Sequence, residues 1–337
     1  MIKFISKMRF THRQIAGLLI LILVNHAVQA QTFSRVVSFG DSLSDTGNLA
    51  SALINFPPPY YQNRISDGPV AIDYLAAAVG GNAIASEVGG DNFAVAGGNI
   101  LGNEREDLSR QITDYLARVN QNADPEALFF IMVGGNDLRG LRGQTSNAIA
   151  QITINQTVNA LVAQLQRLSA AGAKHFFITN VANVGRIPET LQQEAEDPGI
   201  SARAQAYVQI YNQRLNSRLL TFAQQTGANV IDYDLFSEFE KLLNSPASFG
   251  FTQSTVGCFD INEIEDLGDI FNIANGVFHP DCLLGTRFDR FVFFDNLHPS
   301  SRSNELIGNS MIARLAESNS ARNGNIIGAI LLLLLDD

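Results

Sequence analysis

Four short polar segments of the sequence each come directly after an apolar run. They are Gly40–Ser44, Gly97–Asn99, Gly134–Asp137 and Asp295–Pro299. Segments that leave different strands at the carboxyl edge of a parallel sheet converge there, although they are far apart along the chain. Together these segments would supply a hydroxyl, an imidazole, a carboxylate, a side-chain amide and backbone N–H groups. That set of groups predicts acyl transfer through a covalent intermediate.

The residue types in these segments indicate a nucleophile and the partners that activate it. Ser42 would attack a carbonyl carbon, for which it needs a base to take its proton. His298 is the expected base, and Asp295, three residues earlier, would accept a hydrogen bond from the other ring nitrogen. We therefore predict a catalytic triad of Ser42, His298 and Asp295.

The negative oxygen of a tetrahedral intermediate needs hydrogen-bond donors that are already in place. We expect the backbone N–H groups of Ser42 and Gly97 and the side-chain amide of Asn136 to be these donors. Glycine lets the backbone approach closely, and asparagine brings an NH₂ group without a charge. Each segment alone is typical of a turn or a helix cap, and their occurrence together favours a catalytic site.

Two other histidines are weaker candidates for the base. His175 stands at the start of a predicted strand, and therefore at the opposite edge of the sheet from Ser42. His279 also precedes a proline, but its nearest carboxylate, Asp281, follows it and no predicted strand delivers it to the carboxyl edge. These positions favour His298.

The elements that must position these residues are short apolar strands that alternate with longer helical patterns. The predicted strands are Arg35–Phe39, Asn92–Ala96, Ala127–Val133, His175–Val181 and Asn229–Tyr233. Their apolar residues are consecutive, which is typical of strands buried on both faces. The alternation predicts an α/β fold with a doubly wound, flavodoxin-like parallel sheet between two layers of helices.

Helical periodicity is clearest in two segments. Apolar residues recur at three- and four-residue spacing over Ser201–Gln225, and Gly227 is placed to end that helix. A second pattern runs from Ile149 to Gly172. We also expect a last helix over Ser303–Glu317, because Pro299 fixes the backbone just before it.

No linker divides the chain, so we expect a single domain over residues 31–320. Segment 236–290 has no strong periodicity and contains both cysteines and the acidic stretch Asp260–Asp269, which indicates an insertion over one end of the sheet. Phe56–Asp67 has a proline run and paired tyrosines, which exclude a helix and suggest a pocket wall. For the apolar tail, residues 321–337, a buried edge strand, a peripheral membrane contact and a segment foreign to the fold all remain open.

The first 30 residues are typical of an export signal. Basic residues precede the apolar run Ile15–Val24, and Val28-Gln29-Ala30 fits cleavage by signal peptidase after Ala30. The run is short for a membrane span, so an uncleaved anchor is the weaker alternative. We therefore expect a secreted or periplasmic protein, in which Cys258 and Cys282 form a disulfide because the compartment is oxidising.

Composition and charge narrow the range of partners. The 337 residues are 46% hydrophobic and 17% charged, which is typical of a globular protein and excludes disordered and collagen-like chains. Beyond position 30 the chain has 19 basic and 33 acidic residues, so it would repel the phosphates of nucleic acid. Cysteine and histidine do not cluster as in zinc sites, and we expect neither a metal nor an organic cofactor.

The polar segments resemble the four motif blocks of the GDSL esterase/lipase family, also called SGNH hydrolases. The matching stretches are FGDSL (39–43), NFAVAGG (92–98), GGND (134–137) and DNLHP (295–299), in the family's block order. The stretches SDTGN (44–48) and PPYYQNRISDG (58–68) resemble the secreted bacterial and plant-like branch. The sequence around Ser42 is Gly-x-Ser-x-Ser, which differs from the Gly-x-Ser-x-Gly elbow of the α/β-hydrolases.

The resemblance implies the fold of that family and the same assignment of functional residues. It matches Ser42 to the nucleophile, Asp295 and His298 to the rest of the triad, and Gly97 and Asn136 to the oxyanion donors. It also implies a secreted esterase or lipase without a cofactor, because the family hydrolyses esters of lipids, phospholipids, aryl alcohols and acetylated sugars.

Several functional alternatives remain open at this point. The apolar segment Phe56–Tyr61 favours a lipid or aryl ester. A carbohydrate O-acetylesterase or an acyltransferase could use the same site, and an exported binding protein could have an inactive hydrolase scaffold. A peripheral contact with a membrane or lipid and the oligomeric state also stay open.

Overall fold

The computed structural model describes residues 32–52, 55–260 and 276–335, including all side chains except those of residues 52 and 322–335. The predicted export signal, with cleavage after Ala30, and nearly all of the acidic stretch Asp260–Asp269 lie outside the described residues. Phe33–Ala313 forms one compact unit. The other described residues, 32 and 314–335, belong to a second unit that contains the C-terminal part of the last helix.

A four-stranded parallel sheet forms the centre of the compact unit. Its strands are β1 (Val36–Gly40), β2 (Leu128–Met132), β3 (His175–Thr179) and β4 (Asn229–Tyr233), in the spatial order β1-β2-β3-β4. Every residue of β1, β2 and β3 is buried, which explains their continuous apolar sequences. The register brings the carboxyl ends to one edge, with Gly40 beside Met132 and Thr179 beside Tyr233.

The predicted strand Asn92–Ala96 is not a regular strand, and this prediction is wrong. Two of its N–H groups donate to the carbonyl oxygens of Ser38 and Gly40, at 2.8 and 3.2 Å, so the segment does lie beside β1. The side-chain amide of Asn48 donates to two of its carbonyl oxygens, each at 2.7 Å. The Gly40 N–H, which a regular ladder with β1 would pair with the Phe93 carbonyl oxygen, donates instead to the side chain of Gln111 at 2.9 Å.

The described residues contain nine α-helices. They are α1 (Asn48–Ala52), α2 (Ala71–Ala78), α3 (Leu108–Arg118), α4 (Gly135–Leu141), α5 (Asn147–Ala170), α6 (Pro188–Gln193), α7 (Ile200–Thr226), α8 (Leu235–Asn244) and α9 (Ser301–Leu335). The observed α5 and α7 agree with the predicted helices to within two residues at each end.

Two adjacent phenylalanines of β3 show that helices lie on both faces of the sheet. The ring of Phe176 meets Phe222 of α7 edge-on, with centroids 5.4 Å apart. The next residue, Phe177, points to the opposite face and contacts Tyr233, whose hydroxyl donates to the carbonyl oxygen of Ile307 in α9 at 3.4 Å. The expected three-layer, doubly wound fold is therefore confirmed.

Two small sheets lie beside the end of the main one. Strand β5 (Gln253–Gly257) pairs in parallel with β8 (Phe291–Phe293), and β6 (Phe259–Asp260) pairs antiparallel with β7 (Val277–Phe278). Segment 236–290, for which the sequence showed no strong periodicity, thus contains most of α8 as well as β5, β6 and β7. Helix α8 forms because its apolar residues, spaced by three and four, are buried on one face.

The last helix is longer than predicted. It runs from Ser301 to Leu335, whereas the sequence predicted an end near Glu317. The tail is helical up to Leu335, so the alternative of a buried edge strand is wrong. In the described part of the chain, no helix combines the length and the apolar character needed to cross a membrane.

Candidate active site

Ser42 lies in a tight turn that follows β1. A Cβ atom on Gly40 would come within 2.4 Å of the Met132 carbonyl oxygen, so glycine is needed where β1 and β2 end together. Beyond it, the Asp41 carboxylate accepts the N–H of Leu43 at 3.0 Å, and the Asp41 carbonyl accepts the next two N–H groups at 3.0 Å. These bonds turn the chain at Ser42, at the carboxyl edge of the sheet.

Three of the predicted site residues are in direct contact. Nε2 of His298 lies 2.8 Å from Oγ of Ser42, and Nδ1 lies 2.8 Å from Oδ2 of Asp295. The side chains are buried, with 7%, 4% and 3% of Ser42, His298 and Asp295 exposed. The hydroxyl is thus within hydrogen-bond reach of a base whose other nitrogen faces a carboxylate.

The Asp295 carboxylate also shapes the turn that carries His298. Its Oδ1 accepts the N–H groups of Leu297 and His298 at 2.7 and 2.6 Å. Strand β5 packs closely against this turn at Gly257. A Cβ atom on Gly257 would lie 2.5 Å from the Asp295 carbonyl, so only glycine allows this approach. Gly257 thus has a positioning role that no motif in the sequence indicated.

The expected oxyanion donors lie on two neighbouring loops. Gly97 has a φ of +88°, in the left-handed region that favours glycine. Asn136, the second residue of α4, donates one N–H of its amide to the Gly98 carbonyl oxygen at 2.9 Å, and its second N–H is left for another acceptor. Among the described residues, none accepts the backbone N–H of Ser42 or of Gly97.

Three polar side chains connect the chain segments around the site. Asp45 accepts the N–H of Ala96 at 2.9 Å, and Asp137 accepts the N–H of Ile100 at 2.9 Å. Gln111 of α3 both donates to the Gly40 carbonyl (2.7 Å) and accepts the Gly40 N–H (2.9 Å). The sequence placed Asp45 and Asp137 near turns, but Gln111 is an ordinary helical residue that only the fold reveals.

Two carboxyl groups beside the site are costly to ionise. Burial raises the pKa of Asp41 to about 7, although the N–H of Leu43 and the nearby His298 oppose the rise. Burial also raises the pKa of Asp137 to about 6, against the N–H groups of Ile100 and Leu101. The site therefore contains acids that titrate well above the usual range of aspartate.

A mainly apolar pocket extends from Ser42 across the carboxyl ends of β2 and β3. Asn136 and His298 also line it, whereas Gly97 does not. Its apolar wall consists mainly of Val181, Val184, Ile187, Leu235, Phe239, Phe293, Leu297 and Ile307. Such a wall suits the hydrocarbon part of a substrate.

Segment Phe56–Asp67 does not line this pocket, so the prediction of a pocket wall there is wrong. The segment is not helical, as expected. Its Phe56 and Tyr60 are buried against Phe259 and Phe294, because these large rings gain more by packing into the core than by facing solvent. It therefore offers no support for a preference among substrates.

The two cysteines lie close to the His298 turn. The sulfur atoms of Cys258 and Cys282 are within bonding distance, and the Cα atoms are 5.4 Å apart. The N–H of Cys258 donates to the carbonyl oxygen of Phe293 at 3.2 Å, two residues before Asp295. The described residues contain no group of histidine, cysteine and acidic side chains that could hold a metal ion.

The other two histidines are placed differently from His298. His175 pairs with Leu128 at the amino end of the sheet and contacts the ring of Phe33. His279 accepts the N–H of Asp281 at 3.2 Å. Neither lines the pocket beside Ser42.

A parallel sheet with helices on both faces and this polar cluster at its carboxyl edge is typical of hydrolases of the SGNH type. The family described as GDSL-like lipase/acylhydrolase matches residues 36–311, and the chain belongs to that family. This confirms the resemblance found in the motif blocks. The chain is a carboxylic ester hydrolase.

Comparison with known proteins gives several relatives. A phosphatidylcholine-sterol acyltransferase of Aeromonas hydrophila is 28% identical over 248 residues, which cover 72% of this chain and 70% of the relative. A thermolabile hemolysin of Vibrio parahaemolyticus is 26% identical over 301 residues, covering 85% of this chain and 65% of the relative. An inactive GDSL esterase/lipase-like protein of Arabidopsis thaliana is 24% identical over 319 residues, which cover 87% of this chain and 73% of the relative. Among solved structures, the acetylxylan esterase Axe2 of Geobacillus stearothermophilus has a TM-score of 0.41 at 11% identity, covering 85% of this chain and 96% of Axe2.

Proposed function

We propose that this chain hydrolyses esters of apolar carboxylic acids through an acyl-enzyme intermediate on Ser42. The observation that carries the proposal is the pair of 2.8 Å contacts that His298 makes, one to the Ser42 hydroxyl and one to the Asp295 carboxylate. A serine becomes a nucleophile when a base within hydrogen-bond reach can take its proton.

In the first half of the reaction, Ser42 Oγ attacks the ester carbonyl carbon while Nε2 of His298 takes the hydroxyl proton. Asp295 keeps the remaining ring proton on Nδ1 and stabilises the imidazolium. The carbonyl oxygen becomes negative and accepts hydrogen bonds from the N–H groups of Ser42 and Gly97 and from the amide of Asn136. His298 then gives its proton to the departing alcohol.

In the second half, water replaces the alcohol. His298 takes a proton from the water as it attacks the acyl carbon, and the same donors hold the second oxyanion. Collapse of this intermediate breaks the bond to Ser42 Oγ, which recovers its proton from His298. The products are the carboxylic acid and the restored serine.

The pocket supports an aliphatic acyl group over acetate. Its apolar wall would bury several methylene groups, each worth about 0.8 kcal/mol, and an acetyl group offers none to bury. A second candidate is transfer of the acyl group to another alcohol, because the relative from Aeromonas hydrophila is an acyltransferase by name. An added alcohol acceptor should then give a new ester in competition with hydrolysis.

We also propose that the protein is exported, with cleavage after Ala30, and that Cys258 and Cys282 form a disulfide. The basic start and apolar run of the first 30 residues support export. The bonding distance between the two sulfur atoms supports the disulfide. Mass measurement of the secreted protein, before and after reduction, tests both points.

A fluorophosphonate probe tests the nucleophile. The exported protein should be labelled and Ser42→Ala should not, whereas labelling of the variant would place the nucleophile elsewhere. Ser44→Ala is a matched control, since Ser44 is a buried serine of the same turn that does not contact His298. Absence of labelling in the unaltered protein would favour an inactive scaffold.

A further inference from the structure

Glu189 connects two parts of the site that approach Ser42 from different elements. It is the second residue of α6, and its Oε2 accepts hydrogen bonds from Nε of Arg139 and from Nη1 of Arg142, both at 2.6 Å. A second nitrogen of Arg139 donates to Oε1. Arg139 lies in α4, three residues after Asn136. The Glu189 side chain thus holds the helix that carries an expected oxyanion donor.

The backbone of Glu189 holds the other part of the site. Its N–H donates to the carbonyl oxygen of Asn296 at 2.9 Å, and Asn296 lies in the turn between Asp295 and His298. The side-chain amide of Asn296 donates in turn to Oδ1 of Asp260 at 2.5 Å. One residue therefore binds α4 through its side chain and the turn of His298 through its backbone.

The charges favour a rigid connection. Burial alone would raise the pKa of Glu189, but the hydrogen bonds from Arg139 and Arg142 lower it to about 2, so the carboxylate is ionised at neutral pH. Arg139 binds both carboxylate oxygens, and such a two-point contact between planar groups restricts their relative orientation more than a single hydrogen bond does.

We propose that Glu189 is a positioning residue for ester hydrolysis, which fixes the Asn136 amide relative to the Ser42–His298 pair. This inference rests on the proposed function. Attack by Ser42 and stabilisation of the oxyanion occur in one transition state, so both groups must be correctly placed at the same time. Neither Glu189 nor Arg139 lines the apolar pocket beside Ser42, so substrate binding does not depend directly on them.

The test compares Glu189→Gln with Glu240→Gln. Glu240 forms a similar ion pair with Arg186 at 2.7 Å, with 21% of its side chain exposed against 22% for Glu189, but it does not contact the His298 turn. We expect Glu189→Gln to lower kcat by about 10- to 100-fold, the range for a small misplacement of reacting groups, with little change in KM. Glu240→Gln should leave kcat close to that of the unaltered enzyme.

A double-variant cycle with Arg139→Gln separates positioning from a general loss of stability. If the two residues act as one unit, each single variant lowers kcat and the double variant lowers it no further. Equal kcat for Glu189→Gln and Glu240→Gln, or additive losses in the cycle, would overturn the proposal. If Glu189→Gln does not fold, the kcat of Arg139→Gln tests the proposal by itself. Arg142 can still pair with Glu189 in that variant, so the ion pair is not lost completely.

The Ser42→Ala variant distinguishes failure of this inference from failure of the proposed function. Activity that persists without Ser42 contradicts the function itself. Activity that is lost without Ser42 but unaffected by Glu189→Gln contradicts only the positioning role.

Discussion

The side-chain amide of Asn136 donates to the carbonyl oxygen of Gly98 at 2.9 Å. This single hydrogen bond joins the helix α4 to the loop of Gly97, so two of the three expected oxyanion donors cannot move independently. It also orients the amide, because one of its two N–H groups is already bound. The remaining N–H is thus in a defined direction before any substrate arrives, which is the condition for strong stabilisation of a transition state.

Asn136→Ala should lower kcat by about 10²- to 10³-fold, the usual cost of losing one oxyanion donor. The variant loses both the donor and the bond to Gly98. Asn99→Ala is the control, because the Asn99 amide bonds to the same loop, at the Gly97 carbonyl oxygen (3.1 Å). Steady-state kinetics on a nitrophenyl ester would measure both variants. Similar kcat values for the two would contradict an oxyanion role for Asn136.

Asp41→Asn should change how stability depends on pH. The folded pKa of about 7 lies above the ordinary aspartate value of 3.8, so the folded protein binds this proton more tightly than the unfolded chain. The contribution of Asp41 to the free energy of unfolding should therefore fall as the pH rises from about 4 to about 7. Above about pH 7 this contribution should change little. Asparagine cannot ionise, and its oxygen can still accept the N–H of Leu43.

Urea unfolding at several pH values would test this prediction, with Asp114→Asn as the control. Asp114 is an exposed aspartate in an ion pair with Arg110. The decline in stability between pH 4 and 7 should be smaller in Asp41→Asn than in the control. Identical pH profiles for the two variants would show that Asp41 is not the group responsible.

Replacing both cysteines by serine should destabilise the protein by about 3 kcal/mol, since the proposed disulfide closes a loop with a sequence separation of 24 residues. Activity should fall as well, because the Cys258 backbone bonds to Phe293, two residues before Asp295, and a loosened loop would hold this strand less firmly. Equilibrium unfolding and ester hydrolysis measure the two effects. A reducing agent should reproduce them in the unaltered protein and have no effect on the double variant.

Phe239→Leu should shift the preferred substrate to longer acyl chains. Phe239 lines the pocket and packs on Phe293, with ring centroids 5.6 Å apart, so a smaller side chain leaves more room for the substrate. The value of kcat/KM over a series of nitrophenyl esters would measure the shift. Phe222→Leu is the control, because Phe222 is also buried but lies in α7 and does not line the pocket. The same optimum in both variants would place the acyl chain elsewhere.

Strands β1, β2 and β3 were predictable because every residue in them is buried, a position that favours apolar side chains. Asn92–Ala96 is similarly apolar but is not a strand, since the Gly40 N–H that a ladder with β1 needs donates to the Gln111 side chain, 71 residues away. Helix α8 was missed because its four buried residues occupy one face of a short segment. The strand prediction thus failed because of a partner that is remote in sequence, whereas the helical spacing of α8 is a local signal.

The sequence by itself determined the chemical groups of the candidate site. Few side chains can act as nucleophile, base or charge-neutral donor, so Ser42, His298 and Asn136 could be recognised by type and by their place after apolar runs. The tertiary structure alone revealed Gln111, Gly257 and Glu189, which have no chemistry that distinguishes them from other residues of their kind. Gln111 and Glu189 act through hydrogen bonds of 2.6 to 2.9 Å to chain segments that are far away in sequence, and Gly257 acts by leaving room for the Asp295 carbonyl. Such distances result from the packing of the whole fold.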